Sequence, residues 1–337
     1  MAVRHGRMGA AQGGDGNILF PEPVQVKGLA MDARIIVFAI LSLIWGSTWI
    51  FIKLGLRDLP PATFAGTRFL IATVLLWLIV AWRRARLPQR KGEWGLILMT
   101  GLFGIALNYG LLFWGEQHIS SGLAAVIQAI IPAFGLLIAH FHLPDEKITL
   151  VKLTGLSIGI GGVALIFSNQ IRVEGKMALA GSAAILIGAF FVAFCNVMVR
   201  AHGSNIDPAI FAAGQTSVGF VPLLAFGAAY EGNPFSFHWS PLALGALLYL
   251  ALFGSTLAFI MLYWLIKRME ATKVMLISLI TPGIAVTIGM LTLNEKLTWR
   301  IAAGGAAILV GVALTLAEKL RVSFASARNA AAAAPNK

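Results

Sequence analysis

The stretch GLILMTGLFGIALNYGLLFW at residues 95–114 returns 150 residues later as GALLYLALFGSTLAFIMLYW at residues 245–264. Both copies contain the tripeptide Leu-Phe-Gly at the same place, and both end in tryptophan. Each copy is almost entirely apolar and has the length that a helix needs to cross a bilayer. The repeated unit is therefore predicted to include a membrane-spanning helix.

The match between the two copies extends in both directions. Downstream it pairs prolines and then, after a slip of one residue, Glu-Lys dipeptides; upstream it continues at an offset of 147 residues. The matched positions are Pro132 with Pro282, Glu146 with Glu295, and PATFA at 61–65 with PAIFA at 208–212. Chance agreement among apolar residues does not easily place proline and Glu-Lys in register. The chain is thus an internal duplication.

The composition places the whole chain in a membrane. Of its 337 residues 58% are hydrophobic and 12% are charged, the latter about half the share usual in soluble domains. This excludes a soluble enzyme, and the single Cys195 excludes an internal disulfide. We predict an all-α integral membrane protein with ten transmembrane helices. They start near Ile35, Ala62, Trp94, Gly122, Val151, Met177, Pro208, Pro241, Thr272 and Ile301.

The basic residues report on membrane topology rather than on a nucleic-acid partner. The formal net charge is +12, but the termini and alternate loops carry 19 of the 26 Lys and Arg residues, and the other loops carry 6. Cytoplasmic loops of membrane proteins have this excess of positive charge. We expect both termini on the cytoplasmic side, and the lipid bilayer, not nucleic acid, as the surrounding partner.

The two copies have opposite orientations. The first repeat covers residues 33–168 and the second residues 177–317, with five predicted spans in each. Because five is odd, the second repeat must enter the membrane from the other side. Inverted repeats of this kind build many secondary transporters, whose substrate site lies near the midplane between the halves. The flanking segments 1–32 and 321–337 are expected to be disordered tails.

Four stretches resemble the EamA group of the drug/metabolite transporter superfamily. The resemblance covers nearly all of residues 33–317 and implies ten spans in two five-span repeats, a central cavity, and export of metabolites, amino acids or toxic compounds across the inner membrane. It also implies that Glu146 and Glu295 are the acidic residues that close the fourth span of each repeat. The stretches are WGSTWIFIK (45–53), RFLIA (68–72), WGEQHISSGLAAVIQAIIPAF (114–134) and LISLITPGIAVTIGMLTLNEKLTW (276–299).

Two prolines within spans mark candidate hinges. Pro132 and Pro282 are repeat partners, and each removes the hydrogen bond to the carbonyl of Gln128 or Ser278, four residues back. A freed carbonyl beside a polar side chain can line a cavity and bind an ammonium or hydroxyl group. The alternative is a kink whose carbonyl is satisfied by water or by a neighbouring helix.

Polar and aromatic residues inside spans complete the candidate substrate site. An unpaired amide is costly in hydrocarbon, so Asn108 and Asn196 should face the bundle interior, as binding residues or as interhelical hydrogen-bond partners. Aromatic side chains can form walls for flat or cationic substrates, although packing or lipid contact is an alternative. The candidate wall residues are Trp45, Trp49, Tyr109 and Tyr263.

The charged residues suggest no proton relay deep in the bundle. All acidic residues border the spans or precede them, including Glu116, which lies with His118 at the end of the third span. An interfacial or satisfied polar role is preferred for both and for His140, with proton coupling as the alternative. Arg68 is expected to snorkel or to pair, with a contact to a substrate carboxylate as the alternative.

The preferred function is a secondary transporter that exports amino acids or related small metabolites by alternating access. Alternatives are an exporter of drugs, nucleobases or other toxic molecules, and an integral-membrane lipid enzyme. The sequence has no Walker A motif and no metal-type Cys or His cluster, so no cofactor or metal is expected. Gly155 and Gly159 have helix-packing spacing, within a monomer or in a homodimer.

Overall fold

A computed structural model describes residues 33–142, 149–169, 175–202, 206–266 and 277–332, with the single residues 268 and 274. The described chain is helical, as predicted, and its apolar helices stand where the ten spans were expected. The helices are α1 (Ala33–Gly55), α2 (Pro61–Trp82), α3 (Lys91–His118), α4 (Ser121–His142), α5 (Leu150–Asn169), α6 (Lys176–His202), α7 (Pro208–Glu231), α8 (Pro241–Ala251, Leu252–Leu257 and Ala258–Ile266), α9 (Ile277–Leu293) and α10 (Trp299–Ala332).

Proline and short polar residues define where several helices begin. Helix α7 starts with Pro208, and the Asp207 carboxylate accepts a hydrogen bond of 2.8 Å from the amide of Ala209. Helix α8 starts with Pro241 behind Ser240, whose hydroxyl accepts from the amide of Ala243. Proline suits the first turn because its missing N–H would have no helical partner there.

The repeat partners α2 and α7 run antiparallel along each other. At the end of α7, Glu231 accepts hydrogen bonds from the amides of Ala62 and Thr63 at the start of α2. At the other end, Arg83 follows α2 and lies 3.6 Å from Asp207, which precedes α7. This arrangement confirms the inverted repeat. We call the two ends of the bundle the Gly55 end, where α1 stops, and the Arg83 end, where α2 stops.

The apolar core mixes the two halves. One cluster of buried side chains joins α4, α5, α6 and α10, and a second joins α1, α2, α3, α7 and α8. Trp49 on α1 packs against both clusters. The centre of the molecule is therefore built from both repeats.

Glycines bring α5 and α10 into close contact. A Cβ atom on Gly162 would lie 2.5 Å from the carbonyl oxygen of Gly304, and a Cβ on Gly311 would overlap the carbonyl oxygen of Gly155. Small residues permit this approach of two backbones. The glycines thus serve packing within the monomer, and the homodimer remains a prediction.

The last helix extends beyond the apolar span. Helix α10 continues to Ala332, into the segment 321–337 that was expected to be a disordered tail, and that expectation stays a prediction. The segment after Arg321 is rich in alanine, which has the highest helix propensity of any residue. The other expected tail, residues 1–32, lies outside the described residues.

Candidate functional site

Helices α3 and α8 each contain a π-helical segment at the repeated Leu-Phe-Gly motif. The segments are Gly101–Leu107 and Leu252–Leu257. A π turn widens the helix and is frequent at functional sites. Apolar periodicity does not predict it. The signal in the sequence was the repeat of Leu-Phe-Gly in both halves, since the same local sequence favours the same backbone conformation.

Arg68 on α2 points into the π segment of α8. Its side chain is only 2% exposed, and its Nε donates to Ser255 Oγ at 3.0 Å. Its Nη2 also lies 3.4 Å from the carbonyl oxygen of Gly254, which belongs to the same segment. The guanidinium therefore pairs across the two halves and does not snorkel. Its Nη1 has no hydrogen-bond partner among the described residues.

Aromatic rings surround this guanidinium. Its Cζ atom lies 5.1 Å from the centroid of Phe69, 5.2 Å from that of Tyr109 and 5.9 Å from that of Phe113. These distances are within the range of cation–π attraction. Tyr109, a predicted wall residue, thus belongs to an aromatic cage around a buried charge.

Two of the predicted polar residues meet directly beside this cage. Gln128 on α4 donates from Nε2 to Oδ1 of Asn108 on α3 at 3.3 Å. Asn108 is 3% exposed, and a Cβ on Gly188 of α6 would lie 2.8 Å from its Oδ1. The prediction that Asn108 faces the interior is confirmed. The pair joins α3, α4 and α6 at one point.

The two prolines have different surroundings. Helix α4 is broken into Ser121–Gln128 and Ile131–His142, so Pro132 is the second residue of a new helical segment. Its missing N–H would have no helical partner in that first turn. Helix α9 instead runs unbroken through the buried Pro282. The predicted mid-helix position holds for Pro282 and is wrong for Pro132, and both hinge roles remain predictions.

Of four other predicted residues, one lies near the Tyr109 cage. Trp49 packs near the Tyr109 cage, whereas Trp45 packs against a separate cluster between α1 and α8. Ser278 is half-buried on α9. The side chain of Tyr263 lies outside the described residues. The binding roles of all four stay predictions.

Asn196 faces inward and is exposed. On α6, Gly188 and Cys195 face α3, while Ala193 and Val197 pack against α4. Asn196 falls between these two faces, on the side that points to the bundle centre. Asn196 is exposed there, near the Arg83 end of the bundle. Sequence reasoning expected the direction but not the exposure.

At the Gly55 end a carboxylate joins the two halves. Asn294 after α9 has φ of 53°, a conformation that asparagine tolerates better than most residues, and the next residue turns back onto the helix. There Glu295 accepts from the amide and hydroxyl of Ser121 at 2.8 and 2.9 Å. It also accepts from the amide of Gly122 at 3.1 Å. The carboxylate thus caps the start of α4 in the other half.

Three further contacts hold the same end. The Lys53 ammonium donates to the carbonyl oxygens of Glu116 and Ile119 at 2.5 and 2.6 Å, which ties α1 to the turn between α3 and α4. Ser240 donates to Asp58 at 2.5 Å. In the third contact, the Glu231 carboxylate at the end of α7 accepts hydrogen bonds from Ala62 and Thr63 at the start of α2. We call these contacts, with Glu295, the Gly55-end locks.

The Arg83 end has a different set of contacts. The offset of 147 residues pairs Lys53 with Arg200, whose side chain is exposed. The Arg83–Asp207 ion pair is long and partly exposed. Glu146, the repeat partner of Glu295, lies outside the described residues. Sequence reasoning missed the locks because each joins residues from distant parts of the chain.

Glu116 is more deeply placed than its sequence position indicated. Its residue is 0% exposed, and neither carboxylate oxygen has a hydrogen-bond partner among the described residues. The expectation of an interfacial or satisfied side chain is therefore wrong. The cause is the closure of the Gly55 end, where Lys53 and Ile119 cover the last turn of α3.

The chain matches a family model twice. The model of the EamA-like transporter family covers residues 33–168 and 179–317, one match in each half. A solved structure covers 87% of this chain and 99% of its own, with a TM-score of 0.60 and 19% identity. That likeness concerns the fold alone.

Relatives that share about a third of their residues with this chain are named as transporters. The transporter YoaV of Bacillus subtilis strain 168 is 32% identical over 81% of this chain and 92% of its own length. The inner membrane transporter YedA of Escherichia coli strain K12 is 31% identical over 74% of this chain and 79% of its own. The chain is similar to these proteins along most of its length.

Proposed function

This chain belongs to the EamA-like transporter family, and from that premise we propose that it exports amino acids or related small metabolites by alternating access. It is a multi-pass transporter of the inner membrane. The proposal adds the substrate class, the direction and the mechanism. It also places both termini in the cytoplasm, which makes the Gly55 end the outer end.

One observation carries the mechanism: contacts between the halves hold the Gly55 end, while Asn196, near the Arg83 end, is exposed on the inward side of α6. Alternating access requires a conformation that is closed at one end and accessible at the other. An inverted repeat can also adopt the opposite conformation, open at the other end, because the two halves contain equivalent helices in opposite orientations. The observed asymmetry fits the inward-open member of that pair.

The chemistry of the interior supports a zwitterionic or polar substrate. Asn108 and Gln128 supply amide donors and acceptors, and Arg68 has one nitrogen without a described partner. Buried polar and charged groups are costly in a membrane protein and mark transport paths by default. Trp49 and Tyr109 add aromatic surface next to them. An amino acid offers matching carboxylate, ammonium and side-chain groups.

The same aromatic surface supports a second candidate. Drugs and nucleobases are flat, and the cage of Phe69, Tyr109 and Phe113 presents ring faces and edges to the interior. An exporter of such molecules would use the same helices and the same locks. The two candidates differ in which labelled compound the protein should transport: an amino acid for the first, a drug or nucleobase for the second.

Counterflow in proteoliposomes tests the proposal. Purified protein is reconstituted into vesicles loaded with unlabelled amino acids, and uptake of a labelled amino-acid mixture is followed. We expect transient accumulation that saturates with concentration and weakens in Gln128→Ala and Asn196→Ala. Thr287→Ala, whose hydroxyl donates to the carbonyl of Gly283 in its own helix, is the matched control and should keep full counterflow.

The outcomes separate the candidates. Absence of counterflow with amino acids, together with counterflow of labelled nucleobases, would contradict the amino-acid class and favour the second candidate. Flux that rises linearly with concentration would contradict a carrier. Unchanged counterflow in both interior variants would show that the substrate site lies elsewhere.

A further inference from the structure

The Glu116 carboxyl is a buried group that the proposed substrate site does not use. It lies on the face of α3 that also carries Tyr109 and Phe113, which precede it by seven and three residues, so it continues the aromatic face toward the Gly55 end. Its residue is fully buried, and both of its side-chain oxygens lack a described hydrogen-bond donor.

The neighbouring cations are directed at other acceptors. Lys53 on α1 donates to two main-chain carbonyls, one of which belongs to Glu116 itself. Arg68 on α2 donates to Ser255 and Gly254 of α8. Neither cation donates to the Glu116 carboxylate, and the Glu295 carboxylate that follows α9 accepts from Ser121 and Gly122.

The remaining described elements that contact this turn bring no charged side chain to it. From α6, Gly181 and Ile185 pack against Gly115, the residue before Glu116. His118 on the same helix makes an edge contact with the ring of Trp114. A carboxylate ion held here without donors would lose its hydration and gain no hydrogen bond, which is unfavourable. The neutral, protonated carboxyl suits this environment better.

The state of the Gly55 end controls this environment. Separation of α1 from the turn between α3 and α4 would break the Lys53 contacts and let water reach Glu116. An ionised carboxylate suits that open conformation, so proton binding and closure favour each other by linkage.

We propose that Glu116 is the proton-binding site that couples this carrier to a pH gradient. The inference rests on the proposed carrier function. Hydronium at the open Gly55 end gives its proton to a carboxylate oxygen and leaves as water, and the end closes over the neutral group. The proton leaves as hydronium toward the Arg83 end when substrate enters. Protons then move inward as substrate moves outward.

Two transport modes separate coupling from substrate binding. Counterflow without a gradient needs only the substrate-loaded conformations, whereas accumulation driven by a pH gradient needs the proton cycle. In Glu116→Gln we expect gradient-driven accumulation of the labelled amino-acid mixture to fall about tenfold or more, with counterflow within about twofold of wild type. Glu93→Gln, at the exposed start of α3, and His118→Asn should keep both modes.

A gradient response that survives in Glu116→Gln would overturn the proposal. Its loss in His118→Asn with full coupling in Glu116→Gln would assign the site to the histidine instead. Wild-type counterflow with no response to the gradient would also overturn coupling, and it would leave the carrier function intact.

An infrared measurement tests the site without any substrate. Wild-type protein in lipid at neutral pH should show the carbonyl band of a protonated carboxylic acid, and Glu116→Gln should lack it. Glu93→Gln should retain the band. If amino acids give no counterflow, the substrate class fails, and the band still decides the proton site. A wild-type spectrum identical to that of Glu116→Gln in this region would contradict the proposal.

Discussion

The two ends of the bundle are related by the repeat, yet their described residues make different contacts. At the Gly55 end, Lys53 donates to two carbonyls and Glu295 caps the start of α4. At the Arg83 end, the repeat partner of Lys53 is the exposed Arg200, and the Arg83–Asp207 pair is 3.6 Å long. These contacts are those of the described residues, which leave out 143–148 and 203–205 at the Arg83 end. We propose that the difference follows from the conformation of the carrier.

Removal of the Glu295 carboxylate should have the largest effect on this comparison. In Glu295→Ala three donors on Ser121 and Gly122 lose their acceptor, and we expect the closed Gly55 end to lose about 3 kcal/mol, since hydrogen bonds to charged groups are worth about 1.5 to 3 kcal/mol. Hydrogen exchange of the first α4 amides should become faster. Unchanged exchange at Ser121 and Gly122 would show that the carboxylate does not hold this end.

Loss of the Lys53 ammonium should come next. In Lys53→Met the carbonyls of Glu116 and Ile119 lose their donor, and we expect a cost of about 2 kcal/mol in thermal unfolding in micelles. Arg200→Met is the matched variant at the other end and should cost much less, because its side chain is exposed. Equal losses in the two variants would break the distinction between the ends.

A methyl group on α9 should displace the Glu295 cap. In Gly289→Ala the new Cβ would overlap the Glu295 carboxylate and lie 3.0 Å from Ser121 Oγ, and overpacking of this kind costs about 1 to 3 kcal/mol. Gly283→Ala on the same helix is the control, since nothing lies within 4 Å of its Cβ. The melting temperature should fall only in Gly289→Ala; a similar fall in both variants would point to helix α9 itself.

The ion pair at the Arg83 end should matter least. Both side chains are partly exposed, so Arg83→Ala should cost about 0.5 kcal/mol, and the difference should shrink as salt is added. Thermal unfolding at low and high ionic strength measures it. A loss as large as that in Glu295→Ala would mean that the Arg83 end is locked as firmly as the Gly55 end.

The sequence was sufficient for the fold because spans and repeat are properties of local composition and spacing. The interior position of Asn108 also followed from the cost of a lone amide in hydrocarbon. Contacts such as Glu295 with Ser121 and Arg68 with Ser255 were out of reach, since they depend on how the halves pack. Glu116 was misjudged for the same reason: its distance from the span end says nothing about what covers it.

The breaks within helices were likewise hidden from the sequence. Pro132 and Pro282 occupy matched positions, yet α4 breaks before its proline and α9 continues through its own. The same residue type tolerates both forms, and the surrounding helices decide between them. If the halves exchange conformations during transport, the two prolines should exchange these forms as well.

Distances across both ends test alternating access most directly. In a Cys195→Ser background, spin labels at Arg57 and Lys296 report on the Gly55 end, and labels at His142 and Arg268 report on the Arg83 end; all four positions are exposed. Addition of Glu295→Ala is predicted to lengthen the first distance and to shorten the second. Two distances that stay unchanged, or that lengthen together, would contradict the account.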